Sequence, residues 1–331
     1  MGLLYIFWLT AILAASLGIS LLITVPLTGA LVRVRANYNP RGLQLDADGN
    51  IEPHTGPVVT SFVGMLARVK RIEGWAGLYK GFMPTLLFSL VLTVFAAAVL
   101  DASSPSRTGR IDPPATGVLG TLMFSLLSML VSLPAAIITY RSITTPYKLP
   151  WLRPLSSLRI LLTPTERKRP WVLYRTPGLL TAQVLHVAYT ALLLSGIRSL
   201  LVPRPGSTDA TFNTFKFGIY LAVEILSTAL LCPLEVITTK LAVQRNHAAP
   251  EYNSVEQEVE DDGMEGEEYT EYAGAEEDVI GLRHEKDPYL GFVDCVKNII
   301  TEEGFGALYR AWWITLVGGV ASALATAVPA M

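Results

Sequence analysis

The sequence predicts an all-α membrane protein, with six transmembrane helices arranged as three pseudo-repeats. Three observations carry this prediction. The chain of 331 residues is half apolar and only 16% charged, with a mean hydropathy of +0.41. A soluble chain carries about 25% charge, and here the apolar residues come in runs long enough to cross a bilayer. Second, Cys232-Pro233-Leu234-Glu235-Val236-Ile237-Thr238-Thr239-Lys240 closes an apolar run that begins near Phe217. The same interval from proline to base recurs from Pro26 to Arg33 and from Pro134 to Arg141, which marks an internal repeat of roughly a hundred residues. Third, Glu73-Gly74-Trp75-Ala76-Gly77-Leu78-Tyr79-Lys80-Gly81 and Glu303-Gly304-Phe305-Gly306-Ala307-Leu308-Tyr309-Arg310-Ala311 follow the first and third prolines, with Trp171-Val172-Leu173-Tyr174-Arg175-Thr176 as a degenerate copy after the second.

The elements follow in order. Helix one covers residues 3–34; no Lys or Arg precedes it, as a secretory signal requires, so it reads as a retained span. Ala14 and Gly18 give it a small face for helix contact. Residues 58–72 form an amphipathic helix, because Val59, Phe62, Val63, Leu66 and Val69 recur at helical spacing. Helix two covers 82–100, with Pro84 tolerated in its first turn. Helix three covers 117–140. The segment 150–162 is the second amphipathic element, shortened by Pro150, Pro154 and Pro164. Helix four covers 177–201, helix five 215–240, a surface segment 290–300 and helix six 312–328. The repeats are thus 1–100, 115–201 and 213–331, with both termini on one side. Each proline kinks its helix, since it removes one backbone hydrogen bond.

Charge is segregated. Arg68, Lys70, Arg71, Arg167, Lys168 and Arg169 lie in the segments that follow Arg33 and Arg141, and the opposite linkers carry few charges. Residues 251–287 hold more than half of the acids, opposed by Arg283 and Lys286 alone, and few apolar residues. Such a stretch cannot offset its ordering entropy by burial, so it reads as a disordered insertion and as a candidate protein-binding segment. Cys232 and Cys295 give no disulfide framework. Cys232 reads as a small buried hydrophobe.

With both motifs ordered and repeated, the chain resembles the mitochondrial carrier family, whose repeats pair a Pro-x-acid-x-x-base motif with an acid-Gly-…-aromatic-base-Gly motif. The third repeat matches best, including Tyr289-x-Gly291-x-x-Asp294 ahead of Glu303-Gly304. The resemblance implies alternating access across a mitochondrial membrane, the inner one by family habit, with the motif-bearing loops facing the matrix. It also implies a gate built from the acids and bases of the three proline motifs. Those positions are eroded here: the acidic ones hold Thr28, Ala136 and Glu235, and the first basic ones Leu31, Thr139 and Thr238. Glu235 retains charge, with Lys240 as its nearest base. Arg33, Arg141 and Lys240 lie further along the motif and read as solvated helix ends. The opposite gate is also eroded: helix two ends Val99-Leu100-Asp101, helix four Ser195-Gly196-Ile197-Arg198, and helix six Ala327-Val328-Pro329-Ala330-Met331.

The resemblance places substrate contacts on the even helices, at Phe88, Gln183 with Val184, and Gly318. None is a cation, and a charged metabolite in a low-dielectric cavity needs one; nucleotides, phosphate and polycarboxylates are therefore poor substrates. His186 and Glu224 are the polar residues at membrane depth, where an ionisable group is a functional candidate by default. Trp8, Trp312 and Trp313 read as interface anchors. No nucleophile–base pair, phosphate loop or metal cluster is visible in the sequence, so neither an enzyme nor a cofactor is expected, and nothing points to nucleic acid. The expected partners are the lipid bilayer and a small solute that is neutral or weakly charged. The alternative is a carrier-derived membrane adaptor that no longer cycles, acting in fusion, fission or protein recruitment at the outer membrane.

Overall fold

The computed structural model describes residues 2–41, 44–45, 51–52, 59, 61–103, 117–150, 153–202, 213–246, 273, 278–284 and 287–327. Helix α1 runs Gly2–Ala36, and a ribbon of two short strands, Gln44–Leu45 and Ile51–Glu52, follows it. Then come α2 (Phe62–Ile72), α3 (Gly74–Leu78), α4 (Phe82–Ser103) and α5 (Gly117–Thr144). The second repeat continues with α6 (Pro154–Leu161), α7 (Pro164–Lys168), a 3₁₀ turn Pro170–Arg175, and α8 (Leu179–Ala188), which passes through a π segment Tyr189–Leu194 into α9 (Ser195–Leu201). The third repeat comprises α10 (Thr214–Val243), α11 (Phe292–Asn298) with its π continuation Ile299–Glu303, a 3₁₀ turn Phe305–Tyr309, and α12 (Trp312–Ala327).

Among the described residues, six helical stretches are long and apolar enough to cross a membrane: Ala15–Ala36, Gly74–Thr93, Val118–Thr144, Leu179–Leu201, Thr214–Val243 and Phe305–Ala325. At most 28% of any of these windows is buried inside the protein. That distribution suits helices whose outer faces meet lipid, and it explains the exposure of Ile19, Leu22, Leu119 and Leu226. Trp8, Trp312 and Trp313 are exposed as well.

The three predicted kink prolines lie inside α1, α5 and α10. The backbone carbonyl four residues before each has lost its helical donor, and the same type of side chain serves each one. Tyr79 donates its hydroxyl to Leu22 O at 3.3 Å, Tyr174 to Leu130 O at 2.9 Å, and Tyr309 to Ala229 O at 3.1 Å. The aromatic residue of the second motif therefore completes the helix that the proline of the first interrupts.

The core concentrates at the motif-bearing end. Leu133, Ile137, Leu173, Leu179, Ile237, Leu241 and Ile299 form one cluster joining repeats two and three. Ala30, Val34, Met65, Val69 and Leu78 of repeat one form another, which residues of repeat three also enter. Gly178 joins repeats two and three: its φ is +76°, and a Cβ there would stand 2.2 Å from Phe292 N. A side chain is excluded both by that close approach and by the left-handed conformation.

Local chemistry shifts several boundaries. The amphipathic helix begins at Phe62, not 58, because the Ser61 side chain caps it by accepting from Gly64 N. Met65 and Val69 bury its inner face, while Val63 is exposed. Pro154 starts α6 as a first-turn residue and Pro164 starts α7, so the prolines do break the second segment as expected. Cys232 and Cys295 are free and fully buried.

The disordered reading of 251–287 is overturned at its end. Residues 278–284 and 287 are placed, and Val279 and Ile280 are buried in the cluster of repeat one. The sequence hid this because two apolar residues within an acidic run carry little weight in a composition average. The remainder of that insertion, apart from Ala273, lies outside the described residues.

Candidate functional site

The three bases that end the proline motifs are not solvated. Arg33, Arg141 and Lys240 are 1%, 3% and 6% exposed, and each is held by a buried acid. Arg33 meets Glu73 at 2.7 Å, and Lys80 meets the same carboxylate at 2.5 Å. Lys240 meets Glu303 at 2.6 Å, and Arg310 meets it at 2.7 Å. In repeat two, Arg141 grips Glu166 through both terminal nitrogens, at 2.6 and 2.9 Å. Burial opposes ionisation of Glu166, but the hydrogen bond and charge of Arg141, with the N–H groups of Thr163 and Asn246, outweigh it and hold the carboxyl below the usual range. Desolvating a charge is costly unless it is paired, which accounts for the pairing of every one of these bases.

Sequence reasoning missed Glu166 because it stands two residues out of register with Glu73 and Glu303 relative to the aromatic position. A signal was present. Thr163-Pro164-Thr165-Glu166 reads as a capping box, and the structure forms it, with Thr163 Oγ1 accepting from Glu166 N and Glu166 accepting from Thr163 N.

These clusters also tie each repeat to the next. Lys80 Nζ donates to Thr145 O at 2.8 Å, Arg141 to Gln244 O at 2.6 Å, and Lys240 Nζ to Asn37 O at 3.4 Å. Arg310 also donates to Asn37 O. Asn37, Thr145 and Gln244 each lie eleven residues beyond their motif's proline. A closed three-fold ring of cation-to-carbonyl bonds thus seals the motif-bearing end.

A separate polar cluster stands on α1, α8, α10 and α12. Glu235 pairs with Arg35 at 2.6 Å, not with Lys240, which Glu303 occupies. Thr315 Oγ1 donates to the same Glu235 oxygen at 2.7 Å and accepts from Arg35 at 2.9 Å. His186 Nε2 lies 3.9 Å from the other oxygen of Glu235, and Tyr140 of α5 is close enough to feel the charge of both Arg35 and Glu235. The side chains of Glu235 and His186 are 29% and 30% exposed. This pair is therefore solvated where the other three are dry. Arg35 was missed because the motif expects its bases earlier; its signal was a second Arg two residues after Arg33, at the end of an apolar run.

The remaining candidates are dispersed. Glu224 is 9% exposed, within hydrogen-bonding reach of Tyr220 and packed against Gly319, where a Cβ would stand 3.2 Å from its Oε1. Its nearest described partners thus include neither His186 nor Gln183. Its Oε2 has no partner among the described residues. Gln183 is half-buried and Val184 exposed on α8. Gly318 is exposed, with open space where its side chain would be. Phe88 lines an apolar cavity of about 670 Å³ between α4 and α5, with Leu87, Val91, Val131 and Ile138. No group of three metal-binding side chains is found among the described residues. At the opposite end, Arg198 is half-buried in α9, and the side chains of 99–101 and 328–331 lie outside the described residues.

Comparison with curated proteins gives no match. The family described as mitochondrial carrier protein matches residues 214–328, from the start of α10 to the end of α12. The match covers both motifs of the third repeat, including Pro233, Glu235, Lys240, Glu303, Tyr309 and Arg310. The other two repeats reproduce its kinks, its tyrosine-to-carbonyl bonds and its buried ion pairs. The third repeat, residues 214–328, is thus similar to the mitochondrial carrier family over its whole length.

Proposed function

We propose that the chain moves a small neutral or weakly charged solute across a mitochondrial membrane by alternating access, with Arg35–Glu235–Thr315 as the breakable closure of the motif-bearing end. The observation that carries this reading is the contrast between two kinds of ion pair. The pairs of Arg33, Arg141 and Lys240 are dry, and breaking one would strand a buried charge. The Arg35–Glu235 pair joins repeat one to repeat three, and its acid is part-solvated. Separating its partners is correspondingly cheaper. Because Glu235 neutralises Arg35, the cluster offers no surplus cation to a nucleotide or polycarboxylate. Gln183, His186 and Val184 of α8 supply the hydrogen-bonding and apolar contacts that a neutral solute requires. Uptake by the purified chain in liposomes against a broad panel of solutes tests the reading. Uptake of polar uncharged or zwitterionic compounds supports it, and a folded protein that takes up nothing sinks it.

One observation favours the second reading, a non-transporting adaptor. Of the three acidic positions in the proline motifs, only Glu235 keeps a carboxylate, so one inter-repeat pair stands where the family's gate has three. The same liposome experiment decides between the two readings.

A further inference from the structure

Residues 278–284 leave the third repeat and lie on the first. Val279 and Ile280 are 8% and 7% exposed, packed into the cluster of Ala30 and Val34 from α1 and Met65 and Val69 from α2. The backbone is tied down around them. Arg68 donates to Val279 O at 3.0 Å and to Asp278 O at 2.9 Å. Tyr38 N donates to Gly281 O at 2.8 Å, and Gly281 N donates to Asn37 Oδ1 at 3.0 Å. The segment then returns to repeat three through Arg283, which meets Glu302 and Asp287, each at 2.5 Å, with its guanidinium over the rings of Tyr38 and Tyr289. Upstream, Ala273 N donates to Pro146 O at 2.8 Å in repeat two. One loop thereby touches all three repeats.

We infer that residues 278–284 are an autoinhibitory latch, which holds the motif-bearing end closed until Val279 and Ile280 leave their seat on the first repeat. The three-fold ring is complete without this segment, since Lys80, Arg141 and Lys240 supply one tie at each boundary. The strap adds a second set of ties, and it converges on Asn37, the residue whose carbonyl already receives Lys240 and Arg310. At the boundary between repeats three and one, the end of α1 moves away only by stripping two apolar side chains into water and breaking the backbone bonds of Tyr38 and Gly281, or by parting Arg283 from Glu302. The same boundary carries the Arg35–Glu235 pair, so strap and gate pair open together. The inference rests on the alternating-access reading in one respect, that this end opens.

The test measures opening directly. Cysteines at Val63 on α2 and Val293 on α11, which are 68% and 61% exposed, accept spin labels, while the native cysteines are fully buried. Distances between the labels are read by pulsed electron resonance on the full chain in lipid nanodiscs. The strap is released in two ways: by Ile280→Asp, and by Arg68→Gln with Gly281→Pro, which removes hydrogen bonds and leaves the apolar seat intact. A distance distribution that broadens to longer values in both variants, with cooperative melting of the bundle retained, is the expected result. An unchanged distribution in the Arg68→Gln/Gly281→Pro variant, or broadening that merely accompanies loss of cooperative melting, overturns the latch. Liposome uptake separates this failure from that of the transport reading. Broadening without uptake of any solute rejects transport and leaves the latch, whereas uptake without broadening rejects the latch alone.

Discussion

The hydroxyl of Tyr309 donates to the carbonyl oxygen of Ala229, four residues before Pro233 and 80 residues away in sequence. The bond joins the two motifs of the third repeat, and its equivalents from Tyr79 and Tyr174 do the same in the other two. A kinked helix in a membrane has no water to satisfy the freed carbonyl, so a neighbouring segment must do so. Tyr309→Phe should therefore destabilise the protein by about 1 kcal/mol. In a Pro233→Ala background, the restored N–H of residue 233 takes over the carbonyl, and the same substitution should cost much less. Thermal melting of the four proteins of this cycle checks the coupling. Additive effects would show that the tyrosine does not serve the kink.

The buried pairs give a second prediction. Arg141→Met leaves Glu166 buried without its cation and should cost about 3–5 kcal/mol, whereas Arg141→Met with Glu166→Leu should recover a large part of the loss. The pH dependence follows from the direction of the shift. The carboxyl of Glu166 titrates below its unfolded value in the folded protein, so it contributes stability that is fully present above the ordinary glutamate value of about 4.3. That contribution fades as the pH falls through the lower folded value. Melting of Glu166→Gln should therefore be less sensitive to acid below about pH 4.3 than melting of the parent. Equal slopes for the two proteins would contradict the assignment.

The gate pair yields a third. Arg35→Glu and Glu235→Arg each place two like charges together, and each should reduce solute uptake at least tenfold. The double exchange restores opposite charges across the same boundary and should recover most of the rate, because contacting residues couple. The measurement is initial uptake rate in liposomes, normalised to folded protein. No recovery in the double exchange would assign Arg35 a role other than pairing with Glu235.

The acidic insertion offers two replacements with different expected outcomes. Replacing 251–272 by a short Gly/Ser linker should leave the melting midpoint nearly unchanged, since loop closure entropy grows slowly with length. Replacing 278–284 the same way removes Val279 and Ile280 from the core and should lower it. A drop with the first replacement would show that 251–272 also stabilises the bundle.

What the sequence revealed and what it concealed have physical causes. The spans, kinks and repeat period were legible because hydrophobic runs and prolines act locally: Pro26, Pro134 and Pro233 are visible without knowing any partner. The pairing of Arg33, Arg141 and Lys240 was not, because an isolated base at a helix end looks the same whether water or a distant carboxylate receives it. Glu73 and Glu303 stood in the motif, yet nothing local says that they turn inward. Glu235 stands out in sequence as the retained acid, but its partner Arg35 is 200 residues away, and only the packing of α1 against α10 brings them together. Strap residues Val279 and Ile280 were hidden for the opposite reason, since their neighbours in sequence are acidic while their neighbours in space are apolar.

The last prediction concerns Glu224. Its Oε2 is buried with no partner among the described residues, and Gly319 leaves the room its carboxyl occupies. An unsatisfied buried polar atom costs about 1–3 kcal/mol, and the cost is greatest at membrane depth, where no water substitutes. Glu224→Met keeps the length of the side chain and removes the orphaned oxygen, so it should raise the melting midpoint of the bundle. A group kept against its own stability cost belongs to function more often than to the fold. The same variant should therefore lose solute uptake while it gains stability, and Glu224→Gln, which keeps a polar head but cannot titrate, should separate hydrogen bonding from proton exchange. If uptake survives in Gln and fails in Met, the carboxyl acts as a hydrogen-bonding group. If both fail, its ionisation is required. A lower melting midpoint for Glu224→Met would mean that Oε2 is satisfied after all and that Glu224 belongs to the packing of α10 against α12.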